Sequence, residues 1–264
     1  MNRRLVPVIV IATLLASCAS GYAADNNQKR PVFTVTPRVW VAYVSFGDEG
    51  WTDSAAFALP MYGLSISVNP RQTPNWSFLI NGYRGTADGD ITATVPGAAQ
   101  YPGTADYERF DLELLVRYTF PRTGLSLFSG PRYAKWRRTQ SVPQYGGTFN
   151  KLDTDTWAPE FGVGYVSEIG ESGRHRIFSN FTVGISRTSW MVDQRIVPAQ
   201  VFANASGNET QISMDGNLGY EFNFAKFGSA SVRYRHFVLR ENPGYGLQRF
   251  TSYYGPEIGL SFRF

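Results

Sequence analysis

The chain has 264 residues, 43% of them apolar, 17% charged and 15% aromatic, with 26 glycines and a net charge of +4 at pH 7. This length fits one large domain or two small ones, and the small positive excess, partly carried by Arg3 and Arg4, excludes a strongly basic nucleic-acid-binding chain. Charge below the usual quarter, with many rings and glycines, points to an all-β protein whose aromatic side chains are exposed or face lipid.

Residues 1–23 read as a secretory signal peptide. Arg3 and Arg4 form a basic start, residues 5–16 form an apolar run too short to span a bilayer, and small residues follow. Cys18 is the only cysteine, so no intramolecular disulfide is available. Its setting, Leu15-Ala16-Ser17-Cys18, is similar to the bacterial lipobox, which implies lipidation at Cys18; the alternative is cleavage after Ala23. Residues 24–30 are a polar lead. No later run reaches the roughly 18 consecutive apolar residues of a transmembrane helix.

Residues 31–264 then alternate between apolar and polar side chains, in segments split by Gly, Pro, Asn and Asp. Ten strands are expected, at 32–46, 57–68, 76–84, 108–120, 125–137, 157–168, 177–189, 212–224, 230–240 and 250–264. The clearest is ERFDLELLVRYTF, with Phe110, Leu112, Leu114, Val116, Tyr118 and Phe120 on one face and Arg109, Asp111, Glu113, Leu115, Arg117 and Thr119 on the other. The faces of the first strand are ambiguous around residues 39–44, and the third strand is the noisiest; if either is misread, eight strands are the alternative. Connections at 69–75, 121–124, 170–175 and 225–229 are short. Those at 47–56, 85–106, 138–156, 190–211 and 241–249 are mostly longer, and 85–106 lacks large apolar anchors. Short turns on one side and long loops on the other are the pattern of an up-and-down barrel crossing a membrane, and an even strand count puts both chain ends on the short-turn side.

Alternation alone does not say which face is the core. A soluble barrel turns its apolar face inward, and a membrane barrel turns it to lipid. The secretory signal favours lipid. So do aromatics near the strand ends: Trp76, Tyr118, Phe120, Trp136, Trp157, Phe222, Phe224, Tyr253, Tyr254, Phe262 and Phe264. The opposite face carries charges of both signs suited to a narrow lumen: Arg109, Asp111, Glu113, Arg117, Arg132, Glu160, Asp215, Glu221, Arg233, Arg235 and Glu257. Ion pairs filling the interior are one reading of them, and rings of charge around a small pore are the other.

The chain ends PEIGLSFRF, with Ile258, Leu260, Phe262 and Phe264 alternating up to the last residue. This resembles the C-terminal signature of bacterial outer-membrane β-barrel proteins. The resemblance implies a closed antiparallel barrel in the outer membrane, whose last strand is read by the barrel assembly machinery. In size the chain is similar to the small OmpA, opacity-protein and ten-stranded adhesin or protease barrels, without a motif specific to any member. A lipobox departs from the habit of these families.

Catalysis has two histidines to draw on. His175 falls in a short turn, where a solvated ring is expected. His236 falls by parity on the lipid face, with Ser231 or Ser252 as neighbours in the sheet, and reads as an interfacial ring rather than a base. No cofactor and no metal site is expected. Lys135, Trp136, Arg137 and Arg138 sit where the fifth strand emerges, with Arg84, Arg187, Arg240 and Arg249 at a similar height, and form a candidate rim for lipopolysaccharide phosphates. The expectation is a closed antiparallel up-and-down transmembrane β-barrel that is structural or meets lipopolysaccharide, host or environmental ligands through its loops, with a narrow channel and a lipid- or peptide-modifying enzyme as alternatives.

Overall fold

A computed structural model describes residues 33–48, 57–70, 72–93, 101–196, 201–241 and 249–264. The proposed signal peptide, Cys18 and the polar lead lie outside the described residues. Ten antiparallel strands form one closed barrel: β1 (Phe33–Asp48), β2 (Phe57–Val68), β3 (Trp76–Ala93), β4 (Tyr101–Thr119), β5 (Leu125–Val142), β6 (Gly147–Ile169), β7 (His175–Ile196), β8 (Val201–Ala225), β9 (Gly228–Glu241) and β10 (Arg249–Arg263). Each strand pairs with its neighbours in the chain, and β1 closes on β10 through pairs such as Val35↔Phe262 and Tyr43↔Tyr254. At the foot of this seam the Phe264 amide donates to the Phe33 carbonyl at 2.8 Å and the Phe33 amide donates back at 3.4 Å. The ten-strand expectation holds, and the eight-strand alternative does not.

The faces are inverted relative to a soluble barrel. Phe161, Ile185 and Leu218 are 64%, 66% and 62% exposed on the outside, within a belt that includes Phe78, Ile80, Leu114, Leu127, Val163, Val183, Val232, Ile258 and Leu260. Arg109, Asp111 and Glu257 are at most 2% exposed on the inside. A continuous apolar belt of this extent is untenable in water and natural against hydrocarbon. Closure pairs the backbone of every strand on both sides, which is the condition for a sheet to sit in lipid.

Three of the connections expected to be long are mostly strand. β3 runs on to Ala93, β5 to Val142 and β7 to Ile196, with β4, β6 and β8 starting at Tyr101, Gly147 and Val201. A tilted strand crosses the hydrocarbon in about 9–11 residues, whereas β8 has 25. The excess stands above the membrane as two-stranded ribbons. Pairs such as Asp88↔Asp106 show why alternation missed them. A ribbon beyond the hydrocarbon keeps its backbone ladder but has no lipid-facing side to alternate against, while inner positions such as Ala105 and Val142 stay buried. The β5–β6 ribbon ends in a short 3-10 turn, Pro143–Tyr145, and β5 slips register between Gln140 and Ser141.

Two residues assigned to the outer aromatic belt face inward instead. Trp136 is 8% exposed and Tyr253 is 2% exposed, both packed in the lumen. Each shares its parity with an inward charge four residues away, Arg132 on β5 and Glu257 on β10. Alternation overrides the preference of a ring for the interface.

Candidate functional site

Inward side chains stack in layers along the barrel axis. On the long-loop side, Trp40, Leu59, Met61, Tyr83, Tyr107, Trp136, Phe237 and Tyr253 form one apolar cluster. The ambiguity in β1 is thereby resolved, since Trp40, Ala42 and Val44 are fully buried inside and Tyr43 faces out.

Beneath the cluster lies a layer of charge. Arg109 and Asp111, two apart on one face of β4, form a fork, with Nε and Nη2 donating to the two carboxylate oxygens at 2.7 and 2.9 Å. Arg132 on β5 reaches Asp215 at 3.3 Å, Glu160 at 3.4 Å, and Asp111 and Glu113 at 3.6 Å. Arg235 on β9 donates to Asp215 and, at 2.9 Å, to Glu113. Strands from opposite walls of the barrel are thus tied through its centre. The guanidinium faces are also covered, Arg109 by Tyr253 at 3.7 Å, Arg132 by Phe237 at 3.8 Å and Arg235 by Trp40 at 4.8 Å. Each arginine spends its edge on carboxylates and its plane on rings, which suits the flat, weakly hydrated guanidinium.

A second group adjoins the first. Glu257 receives Arg233 at 2.6 Å and Arg38 at 3.6 Å, and the Tyr83 hydroxyl donates to it at 3.3 Å. Nearer the short turns, Arg263 meets Glu221 at 2.6 Å. All eleven lumen charges expected from parity therefore face inward. Arg38, Asn81, Tyr83 and Arg263 were missed. Asn81 donates to Glu113 at 3.1 Å, and it sits in the noisy third strand whose parity was hard to read. Arg38 falls just before the ambiguous stretch of the first strand.

The outer rim divides. Lys135 and Arg137 point outward, Lys135 toward Asp155 at 3.5 Å and Arg137 onto Asp153 at 2.8 Å and Glu108 at 3.7 Å. Arg84 joins at Glu108, 2.7 Å away. Trp136 and Arg138 alternate to the inside, where Trp136 packs in the cluster and Arg138 is half-buried. The two cannot share a ligand with Lys135 and Arg137, because successive side chains in a strand point to opposite faces. Below Lys135 a ring belt continues, with Tyr133 and Trp157 at 4.7 Å and Phe110 and Tyr133 at 6.3 Å. Arg187 pairs across the strands with Trp157 and is exposed, as is Arg240. The Arg249 side chain lies outside the described residues.

His236 is on the lipid face, and its Nε2 meets the Ser252 Oγ at 2.7 Å. Ser231 is not its partner; it lines the lumen and donates to the Gly259 carbonyl at 3.5 Å. Ser252 is 8% exposed, and the Tyr254 ring lies 5.9 Å from the His236 ring. Nucleophile activation needs a base that is itself oriented by a third group. No carboxylate is recorded on His236 among the described residues. His175 pairs with the Tyr220 hydroxyl at the short-turn end. No group of three metal-ligating side chains occurs among the described residues.

No family model matches the sequence, and no curated protein does. Among solved structures, the chain is similar to the outer-membrane protease OmpT from Escherichia coli, with a TM-score of 0.56, 9% identity, and coverage of 89% of this chain and 94% of that one. It is also similar to the translocator domain of the autotransporter NalP from Neisseria meningitidis, with a TM-score of 0.51, 8% identity, and coverage of 99% and 98%. At such identity the likeness is one of fold, and it agrees with the apolar outer belt and the ionic interior. The chain thus has the fold of bacterial outer-membrane β-barrels, a closed antiparallel barrel of ten strands.

Proposed function

We propose that this barrel acts through its surface and not as a conduit. The observation that carries the reading is the filled cross-section: the ionic layer and the aromatic cluster together occupy the long-loop half of the lumen. A barrel of this size has an interior only slightly wider than the eight-stranded case, which side chains alone can fill. The parts left to meet a partner are the ribbons above the membrane and the outward rim of Arg84, Lys135, Arg137 and Arg187. Set directly above a ring belt, these cations match the phosphates of lipopolysaccharide over its acyl chains, with arginine forks suited to bidentate contacts. Glu108, Asp153 and Asp155 hold the rim in place between the strands.

Planar-bilayer recording tests the first half of the reading. The folded protein adds no resolved conductance steps, and regular ohmic steps would remove it. For the second half, Arg84→Ala with Arg137→Ala lowers co-purified lipopolysaccharide severalfold while the barrel still folds. Unchanged retention would exclude the rim as the contact.

A further inference from the structure

Below the ionic layer, the short-turn half of the lumen holds a cavity of about 250 Å³. Its walls carry Arg38, Arg117, Arg176 and Arg233 among asparagines, serines and Phe128, with carboxylates of the ionic layer and Glu221 completing them. Three of these cations are matched. Arg38 and Arg233 share Glu257, and Arg176 has Glu168 at 2.8 Å. Arg117 has no carboxylate within ion-pair distance among the described residues. Its Nη2 reaches the Asn180 Oδ1 at 3.4 Å, its Cζ lies 5.1 Å from the Phe128 ring centre, and its buried Nε has no hydrogen-bond partner. The buried Nε atoms of Arg176 and Arg233, on the same walls, are also without partners. Among the described residues, one guanidinium of the chamber thus lacks a carboxylate, beside guanidinium donors without acceptors. A half-buried charge without a partner is stabilised when a counter-ion joins it, and orphaned N–H groups call for an acceptor. At the short-turn end Arg176 and Glu168 are 35% and 56% exposed, so this end of the cavity is wet.

We propose that this chamber binds a phosphate-sized oxyanion entering from the periplasmic side, with Arg117 as the anchoring fork and Arg233 and Arg176 as supporting donors. The guanidinium edge offers parallel N–H groups that fit two oxygens of such an anion. The ligand is a soluble anion, since the site opens inside the lumen and away from the lipid face. This site is independent of the surface role proposed above.

The test uses the folded full-length barrel in a neutral detergent. Inorganic phosphate is titrated by calorimetry against chloride at equal ionic strength, and the unfolding temperature is followed by gel mobility. Saturable binding near one equivalent and a higher unfolding temperature in phosphate are expected. Arg117→Met weakens binding at least tenfold and removes the phosphate-dependent rise, without lowering the unfolding temperature in chloride, because it deletes an unpaired cation. Arg117→Lys, which keeps the charge and loses the fork, binds between the two and serves if the methionine variant fails to fold. Arg137→Ala, on the outer rim, binds as the parent does. Absence of saturable binding in the parent, or equal binding by parent and Arg117→Met, would overturn the proposal.

Discussion

Asp215 accepts from Arg235 and lies 3.3 Å from Arg132, so two guanidinium groups share one carboxylate in the centre of the barrel. Removing one partner of a buried pair costs about 3–5 kcal/mol where the other charge is left uncompensated, but here Arg235 keeps Glu113 and Arg132 keeps Glu160. Asp215→Asn is therefore expected to cost less, about 1–3 kcal/mol, in reversible urea unfolding of the refolded barrel, with no change in the outer surface. A loss within experimental error would mean that lumen water screens the layer. Parity along each strand was enough to find this network from the sequence, because Arg132, Glu160, Asp215 and Arg235 interrupt otherwise apolar stretches. Trp136 and Tyr253 were misplaced because residue type was weighed above position; four steps from Arg132 and Glu257 they could only point inward. The pairing itself was not readable. Which acid meets Arg132 depends on how strands distant in sequence face each other across the lumen.

Among the elements, the β1–β10 seam is the one joined without a turn, so its register rests on its own ladder and on local backbone shape. Gly255 has a φ of +151°, and a Cβ there would lie 2.1 Å from the Val41 carbonyl oxygen. Gly255→Val would force both a rare backbone conformation and a clash in the closing pair. Strain of this kind costs about 1–3 kcal/mol before the clash is counted. The variant is expected to lose most of its heat-modifiable folded form, whereas Gly89→Val, where nothing lies within 4 Å of the added carbon, keeps it. Equal folding of the two would contradict the seam's sensitivity. Strand number was legible from turns and alternation; strand length was not. Hydrophobic alternation marks only where one face meets lipid, so it stopped near residue 84 on β3 while the ladder continues to Ala93. The ribbons are held by backbone pairing and by side-chain pairs such as Asn150 with Gln140 at 2.8 Å, for which composition gives no period.

At the scale of the whole molecule, one inversion organises everything else. The outer belt gains from hydrocarbon what a soluble protein gains from its core, while the interior must satisfy its own charges and is filled in doing so. The ribbons, the cationic rim and the short-turn chamber are the places proposed above to meet a partner. The inversion is tested most directly by placing a fluorescent label on single cysteines at adjacent positions of β7 in a background free of Cys18, and reconstituting each variant in vesicles whose acyl chains carry bromine. Val183 is 43% exposed on the outside, and Thr182 is 8% exposed on the inside. The account predicts strong quenching of the label at Val183→Cys and little at Thr182→Cys. Equal quenching at both positions, or the reverse order, would contradict it.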